Sequence, residues 1–163
     1  MLAPIMGEPS TSPSDGGADS RGRLALRVMP MPKDTNPYGS VFGGVILSYI
    51  DQAGFIEARR HGLHRWVTVA IDRVEFKQPV GVGDVVNLYA RTVRQGRTSV
   101  TVEVDVEAER YGSDHVVHVT AARLVMVATD DQGRAIPFAR STAATETRPG
   151  GEQTGDQQGQ EQP

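Results

Sequence analysis

Asp51 is the side chain whose surroundings most strongly indicate chemistry. It is the one carboxylate in residues 43–56, GGVILSYIDQAGFI, a helix-like stretch that is otherwise apolar or small in nearly every direction. Because removing a charge from water costs several kcal/mol, a carboxylate in such a stretch is expected to have a use. The pattern predicts that Asp51 is a catalytic general base or nucleophile, with a purely structural cap or ion-pair partner as the alternative.

The stretch opens on Gly43 and Gly44, whose backbone N–H groups no side chain would shield. The first N–H groups of a helix have no partner within the helix, and they point at whatever lies above its start. They can therefore stabilise a carbonyl oxygen that gains negative charge, and Gly44 is the predicted donor.

These two groups are too far apart to act together within one helix. Asp51 follows Gly44 by seven residues, which is about two turns and about 10 Å along the axis. An antiparallel neighbouring helix would bring its own Asp51 towards this helix start. The spacing thus predicts an active site shared across a dimer.

The elements that must position these residues are one helix and five strands. The helix is expected over about 43–61 with Gly62 as its C-terminal stop, and because it is apolar all round it is expected to be enclosed by other elements. Alternating patterns predict the strands at 23–29, 66–77, 84–94, 98–109 and 115–129. The fold class is α+β, with a curled antiparallel sheet of about five strands wrapped round one long central helix.

The two last strands differ in how they meet water. In residues 98–109, Val100, Val102, Val104 and Val106 alternate with polar and acidic residues, which predicts one buried face and one solvated face. The last strand becomes apolar on both faces from about Ala121, so the helix, a partner subunit or another sheet is expected to cover its outside.

Length and composition limit the organisation to one domain. The chain has 163 residues, and only about 23–138 carries the apolar pattern of a core. Residues 1–22 are rich in Pro, Gly and Ser and 139–163 in Gly, Gln and Glu, so both ends are predicted to be disordered.

Charge and cysteine content exclude several functions. The net charge of −3 and the pI of about 5.8 argue against nucleic-acid binding. The absence of cysteine rules out disulfides, a thiolate nucleophile and a cysteine-based zinc site, and it suits the cytoplasm. We also expect no membrane span and no signal peptide, because the sequence has neither pattern.

The segment around the helix start resembles the signature of the hotdog-fold acyl-CoA thioesterases, in particular the bacterial YciA-like hydrolases and their relatives among animal cytosolic acyl-CoA hydrolases. The likeness lies in residues 34–44, DTNPYGSVFGG, with Leu47 and Asp51 following. It continues through Val67-Thr68, Phe76, Pro79-Val80, Val82-Gly83-Asp84 and Gly96-Arg97-Thr98-Ser99-Val100, and it covers nearly all of the folded part.

The resemblance implies hydrolysis of an acyl-CoA by an aspartate on the helix and an asparagine in the preceding loop, which correspond to Asp51 and Asn36. It implies that the hairpin Gly96, Arg97, Thr98 and Ser99 touches coenzyme A. Gly43 and Thr68 are also predicted to line the substrate site, with an ordinary β-branched strand residue as the alternative for Thr68. No metal and no cofactor are implied beyond the coenzyme A of the substrate. Hotdog domains pair edge to edge with antiparallel helices, so a homodimer is expected, and by resemblance a hexamer built as a trimer of dimers.

Several alternatives remain open at this point. Asn36 before Pro37 is also a good turn residue, and Gly96-Arg97 makes a competent hairpin without any ligand. The chain could be a non-catalytic hotdog module that senses acyl-CoA, although Asp51 would then have little purpose. A hydratase-type hotdog would want an aspartate and histidine pair that the helix and its loop do not offer. For Asp51, both a general-base route and a mixed-anhydride route remain open.

Overall fold

The computed structural model describes residues 20–72 and 74–138 of the chain. Most of the two segments predicted to be disordered lies outside the described residues. Along the chain the elements are β1 Arg23–Val28, α1 Gly43–Ala58, β2 Arg65–Ile71, β3 Val85–Gln95, β4 Ser99–Glu109 and β5 Val116–Thr129, with short 3-10 turns at Pro32–Asp34 and Arg59–His61. The predicted class, a five-stranded antiparallel sheet with one long helix, is confirmed.

The five strands form one sheet in the order β1-β3-β4-β5-β2. The β3–β4 and β4–β5 connections are hairpins, whereas β2 pairs with β5 rather than with the strand that follows it in sequence. The turn predicted between β2 and β3 is therefore a crossover from one side of the sheet to the other. Consequently β1 and β2 are the two edge strands.

The predicted alternation of β4 is confirmed and builds the centre of the core. The valines at 100, 102, 104 and 106 are completely buried, and each faces a buried partner on β3 or β5 across the sheet. Facing them from the helix are Ile46, Ile50 and Ala53. The curled sheet thus wraps one side of α1.

The other side of α1 is open, which differs from the expectation of a fully enclosed helix. Phe55 and Ile56 remain more than a third exposed, and Ser48 and Gln52 are exposed beside them. Five strands of one chain can cover only one flank of a helix, so the enclosure inferred from the apolar pattern is not completed within a single chain. The helix end is as predicted, because Arg59–His61 form a 3-10 turn and Gly62 follows with a φ of 138°.

β2 is shorter than predicted. Regular pairing ends at Ile71, although the alternating pattern had indicated a strand to Lys77. The chain still runs beside β5, since the Lys77 N–H donates to Val119 O at 2.8 Å and the Thr120 hydroxyl donates to Glu75 O at 2.8 Å. Because these hydrogen bonds are isolated, the segment lies beside β5 without continuing the regular pairing of the strand.

The acidic face of β4 is paired rather than merely solvated. Glu103 lies between Arg91 of β3 and Arg123 of β5, its directly opposite neighbours in the sheet, at 2.5 and 3.0 Å. The Arg123 hydrogen bond, helped by Arg91, holds the pKa of Glu103 below its usual value despite partial burial. Further along the same face, Glu107 pairs with Arg21 at 2.6 Å. The sequence showed the acids but not which bases the register would bring opposite them.

Candidate active site

Asp51 lies in the middle of α1 and is held by a hydroxyl from β2. Thr68 Oγ1 donates to Asp51 Oδ1 at 2.5 Å and also lies 3.0 Å from Met126 Sδ. The Asp51 side chain is half-buried, so one oxygen is oriented by the protein while the carboxylate still reaches open space. A carboxylate fixed in this way is suited to accept a proton from water or to attack a carbonyl carbon.

A cleft of about 660 Å³ opens beside this pair, between α1 and the edge strand β2. Its walls include Asp51 and Thr68 together with Phe55, Trp66 and Met126. The cleft thus combines apolar side chains with the polar groups of Asp51, Thr68, Gln52 and Arg65, a usual composition for a small-molecule site.

The helix start offers free donors, as predicted. Both the Val45 and the Ile46 N–H groups donate to Phe42 O, and within the described residues the N–H groups of Gly43 and Gly44 have no acceptor. A Cβ at Gly44 would meet nothing within 4 Å, whereas one at Gly43 would come within 3.1 Å of the Phe76 ring. Gly44 therefore presents an open N–H at the positive end of the helix dipole.

The structure places Asn36 in a tight turn before the helix. Its Oδ1 accepts the Tyr38 N–H at 2.9 Å and the Ser40 N–H at 3.3 Å, and its Nδ2 donates to Ser40 Oγ at 2.9 Å. This geometry is an Asx turn, so the structural alternative for Asn36 is part of its role. Within the described residues its second Nδ2 hydrogen has no acceptor and remains available to a ligand.

The β3–β4 hairpin is held by backbone hydrogen bonds and presents Arg97 at its tip. The Gly96 N–H donates to Ser99 O at 2.7 Å, and Thr98 O accepts from the Ala128 N–H at 2.9 Å. The Arg97 side chain is exposed and has no partner in the part of the chain that the structure describes. Ser99 is opposite Val127, and Val127 is opposite Val67, so the hairpin lies two strands, or about 10 Å, from the cleft wall.

The predicted residues therefore form two groups in a single chain. Asp51 and Thr68 are together at mid-helix, with Gly96, Arg97, Thr98 and Ser99 beyond them. Asn36, Gly43 and Gly44 are together at the helix start. The seven-residue spacing along α1 keeps the Gly44 N–H about 10 Å from the Asp51 level, so one chain does not unite the groups.

Sequence reasoning missed a second carboxylate of the helix, Glu57. It is only 8% exposed and accepts from the Thr92 N–H at 3.2 Å and the Thr92 hydroxyl at 3.1 Å, while Arg60 Nε lies 3.0 Å away. Since Thr92 Oγ1 donates to Glu57, it accepts from His61 Nε2 at 2.7 Å. The Glu57 and Arg60 spacing of three residues was the available signal. This network fixes the helix end against β3 and does not open into the cleft.

Two kinds of site are not found in the described residues. No group of three or more His, Cys, Asp or Glu side chains is placed there to hold a metal ion. Over the same residues, no helix has the length and apolar character needed to cross a membrane.

Comparison of the sequence with known proteins gives consistent relatives. Residues 38–112 match the thioesterase superfamily. The acyl-CoA thioester hydrolase YciA of Escherichia coli (strain K12) is 40% identical over 122 residues, which cover 72% of this chain and 92% of that protein. YciA of Salmonella typhimurium is 38% identical over 121 residues, covering 72% and 91%.

Comparison of the fold agrees with the comparison of the sequence. The hexameric hotdog fold thioesterase of Campylobacter jejuni superposes with a TM-score of 0.70 at 41% identity, covering 74% of this chain and 93% of that one. The acyl-CoA hydrolase of Staphylococcus aureus, solved with butyryl coenzyme A, coenzyme A and coenzyme A disulfide, gives 0.63 at 28% identity, covering 69% and 68%. The resemblance seen in the sequence, and the hotdog fold it implied, are confirmed.

Proposed function

The chain belongs to the thioesterase superfamily, with the YciA acyl-CoA thioester hydrolases among its relatives, and we propose that it hydrolyses an acyl-CoA to a carboxylic acid and free coenzyme A. The observation that carries this proposal is the Asp51 carboxylate, oriented by Thr68 and open to a cleft between α1 and β2. The alternative of a non-catalytic acyl-CoA sensor has less support, because the relatives are named as hydrolases and a binding module has no use for this carboxylate.

In the proposed reaction the Gly44 N–H polarises the thioester carbonyl. Its position at the positive end of α1 suits an oxygen that becomes negative in the transition state, and such a donor is typically worth about 10²–10³ in rate. As a general base, Asp51 takes a proton from water while the water oxygen bonds to the carbonyl carbon. The carbon–sulfur bond then breaks, and the thiolate of coenzyme A is protonated. Direct attack by Asp51 would give a mixed anhydride that water hydrolyses, and both routes need the carboxylate.

The active site is proposed to combine two chains. The 10 Å offset along α1 separates donor from carboxylate in one chain, and an antiparallel partner helix would place its Asp51 at this Gly44. The open flank of α1, with Phe55 and Ile56 exposed, supports such a contact. A dimer is the smallest proposed assembly, and a hexamer is proposed by analogy with the thioesterase of Campylobacter jejuni.

The remaining roles follow the same arrangement. Arg97 at the tip of the β3–β4 hairpin is proposed to bind a phosphate of coenzyme A, with Gly96, Thr98 and Ser99 shaping the hairpin. The free Nδ2 hydrogen of Asn36 is proposed to orient the water or the carbonyl. The proposed reaction needs no cofactor or metal, and the proposed location is the cytoplasm, which suits a chain without cysteine.

Mixing two inactive variants tests the shared site. Asp51→Asn removes the base, and Gly44→Pro removes the donor while proline remains tolerated in the first turn of a helix. A hybrid dimer carries both lesions in one site and none in the other. If chains pair at random, co-expression of the two variants should therefore restore roughly a quarter of wild-type thiol release from acyl-CoA.

The control is each variant co-expressed with itself, which should stay inactive. If verified hybrids recover nothing, Gly44 and Asp51 act within one chain and the shared site is wrong. If the wild type releases no thiol from acetyl-, hexanoyl- or palmitoyl-CoA, hydrolysis itself is wrong.

A further inference from the structure

After β5 the chain turns back and runs towards the β3–β4 hairpin. The reversal is made by residues 130–134, and the returning segment then lies beside the end of β5, where the Ile136 N–H donates to Ala128 O at 2.8 Å. Two residues later the Phe138 N–H donates to Arg97 O at 3.2 Å. The other hydrogen bonds of the hairpin, described above, hold its neighbours in the turn, whereas this one acts on the backbone of Arg97 itself.

The Phe138 side chain is fixed in an aromatic cluster. It is only 8% exposed, and the nearest ring is that of Trp66, with 4.9 Å between the two centroids. The rings of His61 and His64 complete the cluster at 5.9 and 6.4 Å from the Phe138 ring. All three pairs are edge to face, an arrangement that aromatic rings prefer. The ring therefore determines where the Phe138 N–H lies, and with it the position of the Arg97 carbonyl.

Trp66 connects this cluster to the cleft beside Asp51. Its side chain is 5% exposed, its Nε1 donates to Gly62 O at 3.1 Å, and it forms part of the cleft wall. Phe138 thus packs on a residue of the cleft and hydrogen-bonds to a residue of the hairpin, although it belongs to neither.

We propose that Phe138 is a positioning residue for substrate binding: through its hydrogen bond to Arg97 O, it fixes the backbone from which the Arg97 guanidinium reaches a phosphate of coenzyme A. The proposal rests on the function proposed above. An arginine side chain loses rotamer freedom when it pairs with a phosphate, and a hairpin that also had to be ordered would add to this cost. A fixed backbone lowers the cost, so the effect belongs to substrate affinity and not to the chemical step at Asp51.

Removing the ring should weaken binding without slowing the reaction. Phe138→Ala should raise KM for hexanoyl-CoA by about fivefold to thirtyfold and change kcat by less than about twofold. Phe138→Leu keeps an apolar side chain but loses the edge-to-face contacts, so its KM should rise by about twofold to fivefold. This milder variant tests the proposal even if Phe138→Ala prevents folding.

Two further measurements show whether Phe138 acts through Arg97. The thioester of hexanoic acid with pantetheine lacks every phosphate of coenzyme A, so the Phe138 variants should hydrolyse it with wild-type kcat/KM. In an Arg97→Ala background, Phe138→Leu should leave KM for hexanoyl-CoA unchanged, because the guanidinium that Phe138 positions is gone.

Ile136→Ala is the matched control. Ile136 packs half-buried against the core on the same returning segment, but its N–H is bonded to Ala128 and not to the hairpin. This variant should lower the melting temperature and keep the wild-type KM.

The proposal is overturned if the Phe138 variants keep the wild-type KM, or if they lose as much kcat/KM on the pantetheine thioester as on hexanoyl-CoA. It is also overturned if Phe138→Leu raises KM equally without the Arg97 side chain, or if Ile136→Ala raises KM to the same extent. A wild type without activity on any acyl-CoA would instead show that the proposed function is wrong.

Discussion

At the scale of single residues, the hydroxyl beside Asp51 explains how a carboxylate can remain on a largely apolar helix. Thr68 supplies one hydrogen bond at 2.5 Å, and the rest of the carboxylate faces the cleft and not the core. Full burial would need a charged partner, which is what Glu57 has in Arg60. Two carboxylates six residues apart on one helix thus have different environments, one open to a ligand and one closed by a network.

Replacing Asp51 with Asn should lower kcat by about 10² to 10⁴ with folding intact. The change keeps the size of the side chain and its hydrogen bond to Thr68, but it removes the base and nucleophile. Thiol release from a saturating acyl-CoA, with circular dichroism as the folding check, measures this. Asp114→Asn, on the exposed β4–β5 turn, is the matched control and should be fully active. A kcat within a few-fold of wild type in Asp51→Asn would refute the catalytic assignment.

At the scale of elements, the sequence pattern predicted a strand or helix well when its own residues determine which face is buried. It did not predict which elements contact each other. The alternation of Val100 to Val106 predicted β4, and Gly43-Gly44 at the start and Gly62 after the end predicted α1. The pairing of β2 with β5 could not be predicted, because it depends on which strand closes the curled sheet. The end of β2 at Ile71 was missed for the same reason, since the alternating pattern persists to Lys77 while the regular strand pairing does not.

Asp84 joins two turns, and its contribution to stability should disappear in acid. Burial alone would raise its pKa, but the N–H groups of Gly81 and Tyr111 and the Arg110 guanidinium together lower the pKa below its usual value. The stabilisation is therefore complete above the unfolded pKa of about 3.9 and is lost as the pH falls through the lower folded value. Asp84→Asn should reduce the free energy of unfolding by about 1–3 kcal/mol at pH 7.

Urea midpoints at pH 7 and pH 3 measure this pH dependence. The difference between wild type and Asp84→Asn should be large at pH 7 and should shrink at pH 3. A difference that is equal at both values would show that the Asp84 charge contributes nothing. Asp114→Asn serves again as the control, because that carboxylate is exposed.

At the scale of the whole molecule, one chain leaves apolar surface exposed on the edge strand where a partner is proposed. Val67, Val69 and Ile71 are all more than a third exposed on β2, and β2 is an edge strand with unpaired backbone groups. The exposed flank of α1 lies next to this edge, across the cleft. An edge with exposed valines and no charged side chain between Val67 and Ile71 is a template for pairing with another strand. Assembly and activity should therefore be lost together.

A lysine at Val69 tests that coupling. Val69 is 59% exposed, so Val69→Lys should leave the fold of one chain intact while placing a charge in the proposed strand pairing. We expect the variant to dissociate by light scattering and its thiol release to fall at least about a hundredfold, because a lone chain keeps Gly44 and Asp51 apart. Val116→Lys is the matched control, since this valine is 55% exposed at the start of the interior strand β5, and it should stay assembled and active. A monomeric Val69→Lys protein with wild-type activity would refute the shared site. A Val69→Lys protein that stays assembled and active would show that the subunit interface does not involve β2.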